Sequence, residues 1–387
     1  MRALGIHVFA GGFTMGVQEV AEVVAQYETH GFGMETAASL GVPVVNEKSW
    51  EDWPDPGPVD LVYGNPRCTG FSTITSGYGE ETHGPWAKQT ADVHDLCNFA
   101  VRHKVPYVIW ESVQQAFTVG RPLLDYLRDE LFVPAGYRIA HLFLNAAGFG
   151  NAQNRRRYFF AAYPADAIFD VLAPVLEPSH TTMADVIGHL RNRETHEKRL
   201  YAKDVYYTAD CHTSLTPDEW AVVPHLPQGC CLNRFAREYP ERLRELSPKF
   251  GETWDVRISD MPFSLHCVAR PRWHGPCPTL HNSCGRLIHP LRNRPLTVGE
   301  LAALMGWGKV IPRGRDPVSQ IAKGVVPAAG QWLAEQVAAS MAGRWDDDWE
   351  TRYDDRTGLW NGTYLKDKPP EKRIDMTRYF PGLAKEI

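Results

Sequence analysis

The sequence predicts an α/β protein: a doubly wound sheet covered by helices, joined to a smaller and less regular second domain. Three observations predict it. Residues 1–163 alternate short apolar runs with amphipathic stretches, the pattern of a parallel sheet packed between helices. From Pro164 to about Arg292 the chain carries scattered Pro, His and Cys, charged stretches such as Arg234 to Lys249, and few long periodic segments. Helical spacing of apolar residues then returns in 293–342 and folds back onto the first domain.

The elements follow in order. LGIHVF (Leu4 to Phe9) reads as the first strand, and the glycines Gly11 and Gly12 lead into a short helical run from Phe13 to about Val20. EVVAQY (Glu22 to Tyr27) is apolar and β-branched enough for a second strand, with a longer helix as the alternative. VPVV (42–45), VDLVYG (59–64) and PYVIW (106–110) are further strands, with a helix from Ala91 to His103 between the last two. YRIAHLFL (137–144) and RRYFFAAY (156–163) complete the sheet. RPLTVGELAALMGW (294–307) and SQIAKGVVPAAGQWLAEQVAASM (319–341) have helical periods, whereas 343–387 has none and reads as an appended tail.

Composition narrows the function classes. The 387 residues, 43% of them hydrophobic, suffice for two domains with a sizeable core. No apolar run is long enough for a membrane span, and the start MRALGIHVFAGG lacks the regions of a signal peptide, so a cytoplasmic protein is expected. Eight cysteines at irregular spacing then read as free thiols, one of which is available as a nucleophile. A net charge of -5 argues against a chain coated in nucleic acid but leaves room for a local basic cleft.

The sharpest chemical signal is GNPRCTGFS, Gly64 to Ser72, which sets Cys68 directly after a strand, where ligands and reacting groups gather in parallel sheets. A cysteine by itself is more often a small buried hydrophobe. Its context reverses that reading. Glu111 follows PYVIW and so falls at the same sheet edge, and Arg155 and Arg157 alternate at the start of a later strand, able to face one side. His266, Cys267, His274, Cys277, His281 and Cys284 lie close in the chain but lack the tight pairs of a zinc site; they read as packed or surface residues, and no metal is expected.

Taken in order, a first-strand FAGG loop, a Pro-Cys motif at Pro66 and Cys68, Glu111 after a strand, Gln153-x-Arg155-x-Arg157, RPLTVGE and a late Gly-Val-Val-Pro resemble the DNA cytosine-5 methyltransferases. The likeness covers roughly 4–163 and 269–337. It implies a Rossmann-like S-adenosylmethionine-dependent methyltransferase domain (1–163 and 293–342), a target-recognition domain (164–292), and methyl transfer to C5 of cytosine in double-stranded DNA by a monomer. The implied roles are Cys68 as nucleophile, Glu111 as proton donor to the base, Arg155 on the base, and Arg157 as brace or phosphate contact. Donor-binding roles fall on Phe9, Gly11, Gly12, Glu28, Pro66, Lys323, Gly324 and Val325, and Ser72 to Lys88 resembles the loop that closes over DNA.

The sequence departs from the family at three places. Pro-Pro-Cys-Gln is here Pro66-Arg67-Cys68-Thr69, and Glu-Asn-Val is Glu111-Ser112-Val113. Arg67 adds charge that could lower the thiol pKa or contact the DNA backbone. The glycine loop is about two residues short. Where the family has Gly-Asn before Val-Pro, this chain has Lys323-Gly324, a cation that would repel a sulfonium unless it turns away or meets a carboxylate. Three alternatives follow: a modified, anionic S-adenosylmethionine as donor, a non-catalytic DNA-binding relative, and an RNA substrate.

Overall fold

A computed structural model describes residues 1–72, 82–167, 169, 181–190, 215–248, 268–281, 284–308, 310, 312–344, 353–354 and 359–360. The first half contains β1 (Arg2–Ile6), α1 (Gly12–Val17), β2 (Glu22–Glu28), α2 (Met34–Ala38), β3 (Val44–Asn46), β4 (Leu61–Gly64) and α3 (Ala91–Arg102). Then come β5 (Tyr107–Ser112), α4 (Arg121–Tyr126), β6 (Tyr137–Asn145) and β7 (Arg156–Pro164). One sheet takes all seven strands in the order β3-β2-β1-β4-β5-β7-β6.

The central strands β4 and β5 are buried along their whole length, as parallel strands covered on both faces must be. Alternate residues feed two cores. Leu4, Ile6, Val62, Val108, Trp110 and Phe160 pack on one face beneath Leu96 and Phe99 of α3. Ala3, Tyr63, Ile109 and Phe159 pack on the other with Phe13 of α1. β2 pairs parallel with β1, which settles it as a strand; its burial deepens from exposed Glu22 to buried Glu28. α1 stops at Val17 rather than Val20, because residues 18–21 turn the chain back to the start of β2, with Val20 N bonded to Val17 O at 3.0 Å.

β7 is the one reversal that matters for chemistry. It runs antiparallel to both β5 and β6, with Ser112 opposite Tyr158 and Asn145 opposite Arg156. The start of β7 therefore lies at the carboxyl end of β5, and Arg155 and Arg157 arrive at the edge where Glu111 sits.

The second region begins with α5 (Met183–Ile187), whose Met183 and Ile187 share a core with Trp273, Leu301 and Met305. α6 (Pro217–Val222), β8 (Cys230–Cys231), α7 (Leu232–Glu238), α8 (Pro240–Leu246) and β9 (Ala269–Arg270) gather a separate core around Val222, Leu232, Phe235 and Leu243. Chain then returns through α9 (Val298–Met305), α10 (Pro317–Lys323) and α11 (Pro327–Met341). The RPLTVGE segment is a helix start: Thr297 and Glu300 form a capping box, and Arg294 grips Glu300 through two contacts of 2.8 Å. The 319–341 stretch is two helices, since Pro327 holds Val326 extended (ψ 121°) and breaks the helical run. In the tail, β10 (Tyr353–Asp354) pairs antiparallel with β11 (Leu359–Trp360), so it is not wholly without order.

α11 lies unusually close to α1. A Cβ on Gly16 would stand 1.9 Å from Pro327 O, and one on Gly330 would meet the Phe13 ring at 2.8 Å. Six described cysteines, Cys68, Cys97, Cys230, Cys231, Cys277 and Cys284, are free thiols. Among the described residues no helix is long and apolar enough to cross a membrane.

Candidate active site

The sheet sets five polar side chains in a row. Register places Tyr27 beside Ile6, Ile6 beside Gly64, and Gly64 beside Trp110. The next residue of each strand is then Glu28, His7, Asn65 and Glu111, and Arg157 of β7 follows across the sheet; Asn65 N bonds to His7 O at 3.2 Å. Chain leaving β4 continues through Pro66 and Arg67 to Cys68, which caps the short turn Thr69–Phe71.

Glu111 is 2% exposed and held from both sides. Arg157 Nε lies 2.9 Å from Oε1, and the Asn65 amide donates to Oε2. Burial raises its pKa above the usual carboxylate range, against the opposing pull of Arg157, Arg155 and Asn65. The half-buried Cys68 thiol is likewise pushed up, by burial and then by the Glu111 charge, while Arg157 and Arg155 draw it back. The Cys68 thiol, the Glu111 carboxyl and the two guanidiniums thus act on one another electrostatically, and Glu111, Arg155 and Arg157 line one small cavity with Phe159, Val325 and Val326.

The two arginines make different contacts, and that of Arg157 is the brace expected of it. Arg157 makes the direct contact with Glu111. Arg155, 2% exposed, donates through Nη1 to Leu280 O at 2.8 Å and through Nη2 to Ala322 O at 3.0 Å and Gly324 O at 2.9 Å. Its fork is spent on backbone, tying the start of β7 to the return segment. Gln153 does the same, with Nε2 donating to Leu304 O and Oε1 accepting from Leu280 N. Arg67 is also committed: Nε and Nη2 each lie 2.7 Å from Asp92 of α3, so its charge is met there.

In the loop after β1, Phe9 sits in the left-handed region (φ 52°), as does His7 (φ 54°), a local concentration of strain. Phe9 N donates to Glu28 Oε1 at 2.9 Å, while Glu28 Oε2 accepts no hydrogen bond from the described residues. Burial raises the Glu28 pKa. Gly12 packs against the return segment, where a Cβ would come within 2.6 Å of Val325 O; Gly11 takes φ 82° to turn the loop. Gly324 abuts the Trp307 ring, whose buried Nε1 finds no acceptor among the described residues. Lys323 is partly exposed and meets no carboxylate among the described residues: Nζ lies 4.3 Å over the Phe32 ring, which stands edge-on to Phe9 at 6.3 Å. A pocket of ≈ 210 Å³ opens beside Phe32, lined also by Glu35, Arg313 and Arg315. Pro66 is buried in the loop after β4.

Of the six His and Cys residues weighed as a metal set, Cys277 and Cys284 are buried in the core, and His266 and Cys267 lie outside the described residues. His7, Asp92 and Asp95 do bring ligand atoms within 4.8 Å of one another. The Arg67 guanidinium already occupies Asp92, which disfavours a second cation there.

The family model of the C-5 cytosine-specific DNA methylases matches residues 10–338. The chain belongs to this family. This methylase is 25% identical over 323 residues to the type II methyltransferase M.DdeI of Desulfomicrobium norvegicum, covering 72% of each chain. It is 28% identical over 294 residues to M1.HphI of Haemophilus parahaemolyticus, covering 72% of this chain and 68% of that one. Its fold is shared with the Entamoeba histolytica methyltransferase EhMeth (TM-score 0.58, 10% identity, 88% and 98% covered) and with Spodoptera frugiperda DNMT2 (0.52, 12%, 87% and 99%).

Membership makes the methylase a DNA (cytosine-5-)-methyltransferase with S-adenosylmethionine as its cofactor. The donor side fits that group. Glu28 Oε2 is a buried acceptor with no hydrogen bond from the described residues, His7 Nδ1 standing off at 3.7 Å, and so suits a ribose hydroxyl; Trp307 Nε1 is a buried donor without an acceptor among them, beside Gly12 and Gly324. Sequence reasoning missed Asn65, His7, Asp92, Phe32 and Trp307. Asn65 and His7 were legible in principle, as polar residues one step beyond apolar strands; Asp92 lies on a helix and carried no such signal. Ser72 to Lys88 lies partly outside the described residues, at 73–81.

Proposed function

We propose that this methylase methylates C5 of cytosine in double-stranded DNA, acting as a monomer on a base turned out of the helix, with Cys68 as covalent nucleophile. The observation that carries the reading is the placement of Glu111, braced by Arg157 and Asn65, in electrostatic reach of the Cys68 thiol at one sheet edge. Thiolate Cys68 adds to C6, forming a C–S bond and shifting π density toward N3, where the carboxyl of Glu111 gives up its proton. The raised Glu111 pKa favours the protonated form this step requires. Bound S-adenosylmethionine supplies the electrophilic methyl that C5 takes up. The C5 proton then leaves to a solvent-derived base, the C6–S bond breaks, Cys68 departs as thiolate, and N3 returns its proton to Glu111.

Glu28 is assigned to the ribose, Phe9 to the adenine, and Gly11, Gly12, Pro66, Gly324 and Val325 to the walls around the methionine end. Residues 164–292 are assigned to target recognition, by side chains reading base edges. Extruding the base costs a few kcal/mol, and the segment 72–88 would fill the gap it leaves. The test is covalent trapping on a duplex containing 5-fluorocytosine, where the missing C5 proton prevents release. Parent protein should form an adduct stable to denaturant and Cys68→Ser none, with DNA affinity retained; an equal adduct with the serine variant would sink the reading.

One observation favours a second donor. Lys323 meets an aromatic face and no carboxylate among the described residues, so its charge could favour an anionic substituent on the transferred carbon, by roughly ten- to a hundred-fold. Nucleoside mass spectrometry with ordinary and carboxylated donors, for the parent and Lys323→Asn, decides between them. Only 5-methylcytosine from the parent, and no change in donor preference on substitution, would leave Lys323 a packing residue.

A further inference from the structure

Between Glu28 and the nucleophile loop lies a buried run of charged side chains that the reaction steps above leave unused. Asp92, in the first turn of α3, is 1% exposed. Its Oδ2 accepts from Arg67 Nε at 2.7 Å and from the Arg67 backbone N at 3.3 Å, and its Oδ1 accepts from Arg67 Nη2 at 2.7 Å. A single buried carboxylate thus grips both the side chain and the main chain of the residue before Cys68. His30 Nε2 approaches the same Oδ1 at 3.3 Å. His7 completes the run: it is fully buried, with Nδ1 at 3.7 Å from Glu28 Oε2 and Nε2 at 3.9 Å from Asp95 Oδ2.

We propose that Asp92 is a positioning residue that holds the Arg67–Cys68 peptide in its reactive place, and that His7 couples this hold to the donor carboxylate Glu28. The proposal rests on Cys68 being the nucleophile. Desolvating an aspartate and a guanidinium is expensive, and the pairing recovers that only with good geometry; here the fork is bidentate and a backbone amide is added. Despite burial, Arg67, His7 and His30 keep the Asp92 carboxyl below its ordinary range, so it is charged at neutral pH. The arrangement also weighs against Arg67 as a phosphate contact, since its fork is already filled. Occupation of Glu28 by a ribose would alter the charge that His7 faces, and His7 lies one carboxylate cluster from the nucleophile loop. Donor binding and the setting of Cys68 are thereby linked.

The experiment reads Cys68 in two ways, with the full chain. Covalent trapping on 5-fluorocytosine duplex is timed at saturating S-adenosylmethionine. Alkylation of Cys68 by iodoacetamide is followed by peptide mass spectrometry with and without S-adenosylmethionine. Asp92→Asn should slow trapping by about tenfold and speed Cys68 alkylation by about threefold, with donor and DNA affinities within about twofold of the parent. Arg67→Ala should match it, the double variant should be no worse than either, and Arg67→Lys should recover part of the rate. In His7→Gln, the donor should lose its effect on Cys68 alkylation. A loosened fold alone would move the two rates in the same directions, so thermal unfolding is followed alongside, and a Tm within about 1 °C of the parent assigns the change to the loop. Unchanged trapping in Asp92→Asn, or additive losses in the double variant, would overturn the hold. Weaker DNA binding in Arg67→Ala alone would make Arg67 a phosphate contact instead. If the parent fails to trap, the nucleophile assignment falls, while the alkylation rates still report whether Asp92 fixes the loop.

Discussion

Arg155→Ala separates a scaffold role from a base contact. The guanidinium serves three buried carbonyls, Leu280 O, Ala322 O and Gly324 O, at 2.8 to 3.0 Å. Each orphaned carbonyl costs about 1 to 3 kcal/mol, and water entering the vacated space returns part of this, so a loss of about 3 to 5 kcal/mol is expected. Unfolding entropy of about 2.1 cal/mol/K per residue, over about 280 described residues, converts that loss to a Tm lower by roughly 5 to 9 °C. Donor affinity should fall with it, because two of the three carbonyls belong to the segment that packs on Gly12. The assay is differential scanning calorimetry with and without S-adenosylmethionine, and Arg155→Lys should recover only part of the loss, an ammonium being unable to reproduce the planar fork. A variant that melts within about 1 °C of the parent but fails to turn over would refute the scaffold reasoning and return Arg155 to the base.

Other outcomes follow from the same geometry. Burial raises the pKa of both Cys68 and Glu111, and the proposed addition uses thiolate with carboxylic acid. kcat/KM should therefore climb with pH until the first of the two ionises, run level, and fall only above the pKa of the second. Glu111→Gln should lower kcat by about 10²- to 10⁴-fold and remove the level region, the residual rate rising until the thiol is ionised; an unchanged profile shape would exclude Glu111 as the proton donor. Gly16→Ala improves helix propensity by about 1 kcal/mol, yet its Cβ would sit 1.9 Å from Pro327 O, so a net loss of about 1 to 3 kcal/mol is expected in denaturant titration. A stabilised variant would show that α1 and α11 can part without penalty.

Much of this arrangement was legible in the sequence because strands and strand ends announce themselves. The apolar runs of β1, β4 and β5, and the polar residue ending each, follow from burial on both faces. Cys68 and Glu111 could be placed at one edge by that logic alone. Direction of β7 was not written in its residues, and it is the antiparallel return that delivers Arg157 to Glu111. The backbone contacts of Arg155 were also hidden, since alternation gives two side chains a common side but does not say which finds backbone carbonyls. Asp92 illustrates a further limit. An aspartate in the first turn of a helix is an ordinary favourable choice beside the helix dipole, and only tertiary packing turns it toward Arg67.

The closeness of α1 and α11 has a consequence for how the protein comes into being. Phe13 and Tyr63 share a core with Leu333 and Val337 of α11, so that face of β1 and β4 is covered by residues made some three hundred positions later. At about 5 to 20 residues per second, a ribosome needs roughly 15 to 60 s to supply that cover. For this interval the nascent chain presents an aromatic surface that awaits α11, and the Gly11–Gly12 loop, which packs Gly12 against Val325, stays unbuilt. A growing chain should accordingly depend on holding chaperones late in synthesis, and ability to bind the donor should arrive abruptly with the closing helix.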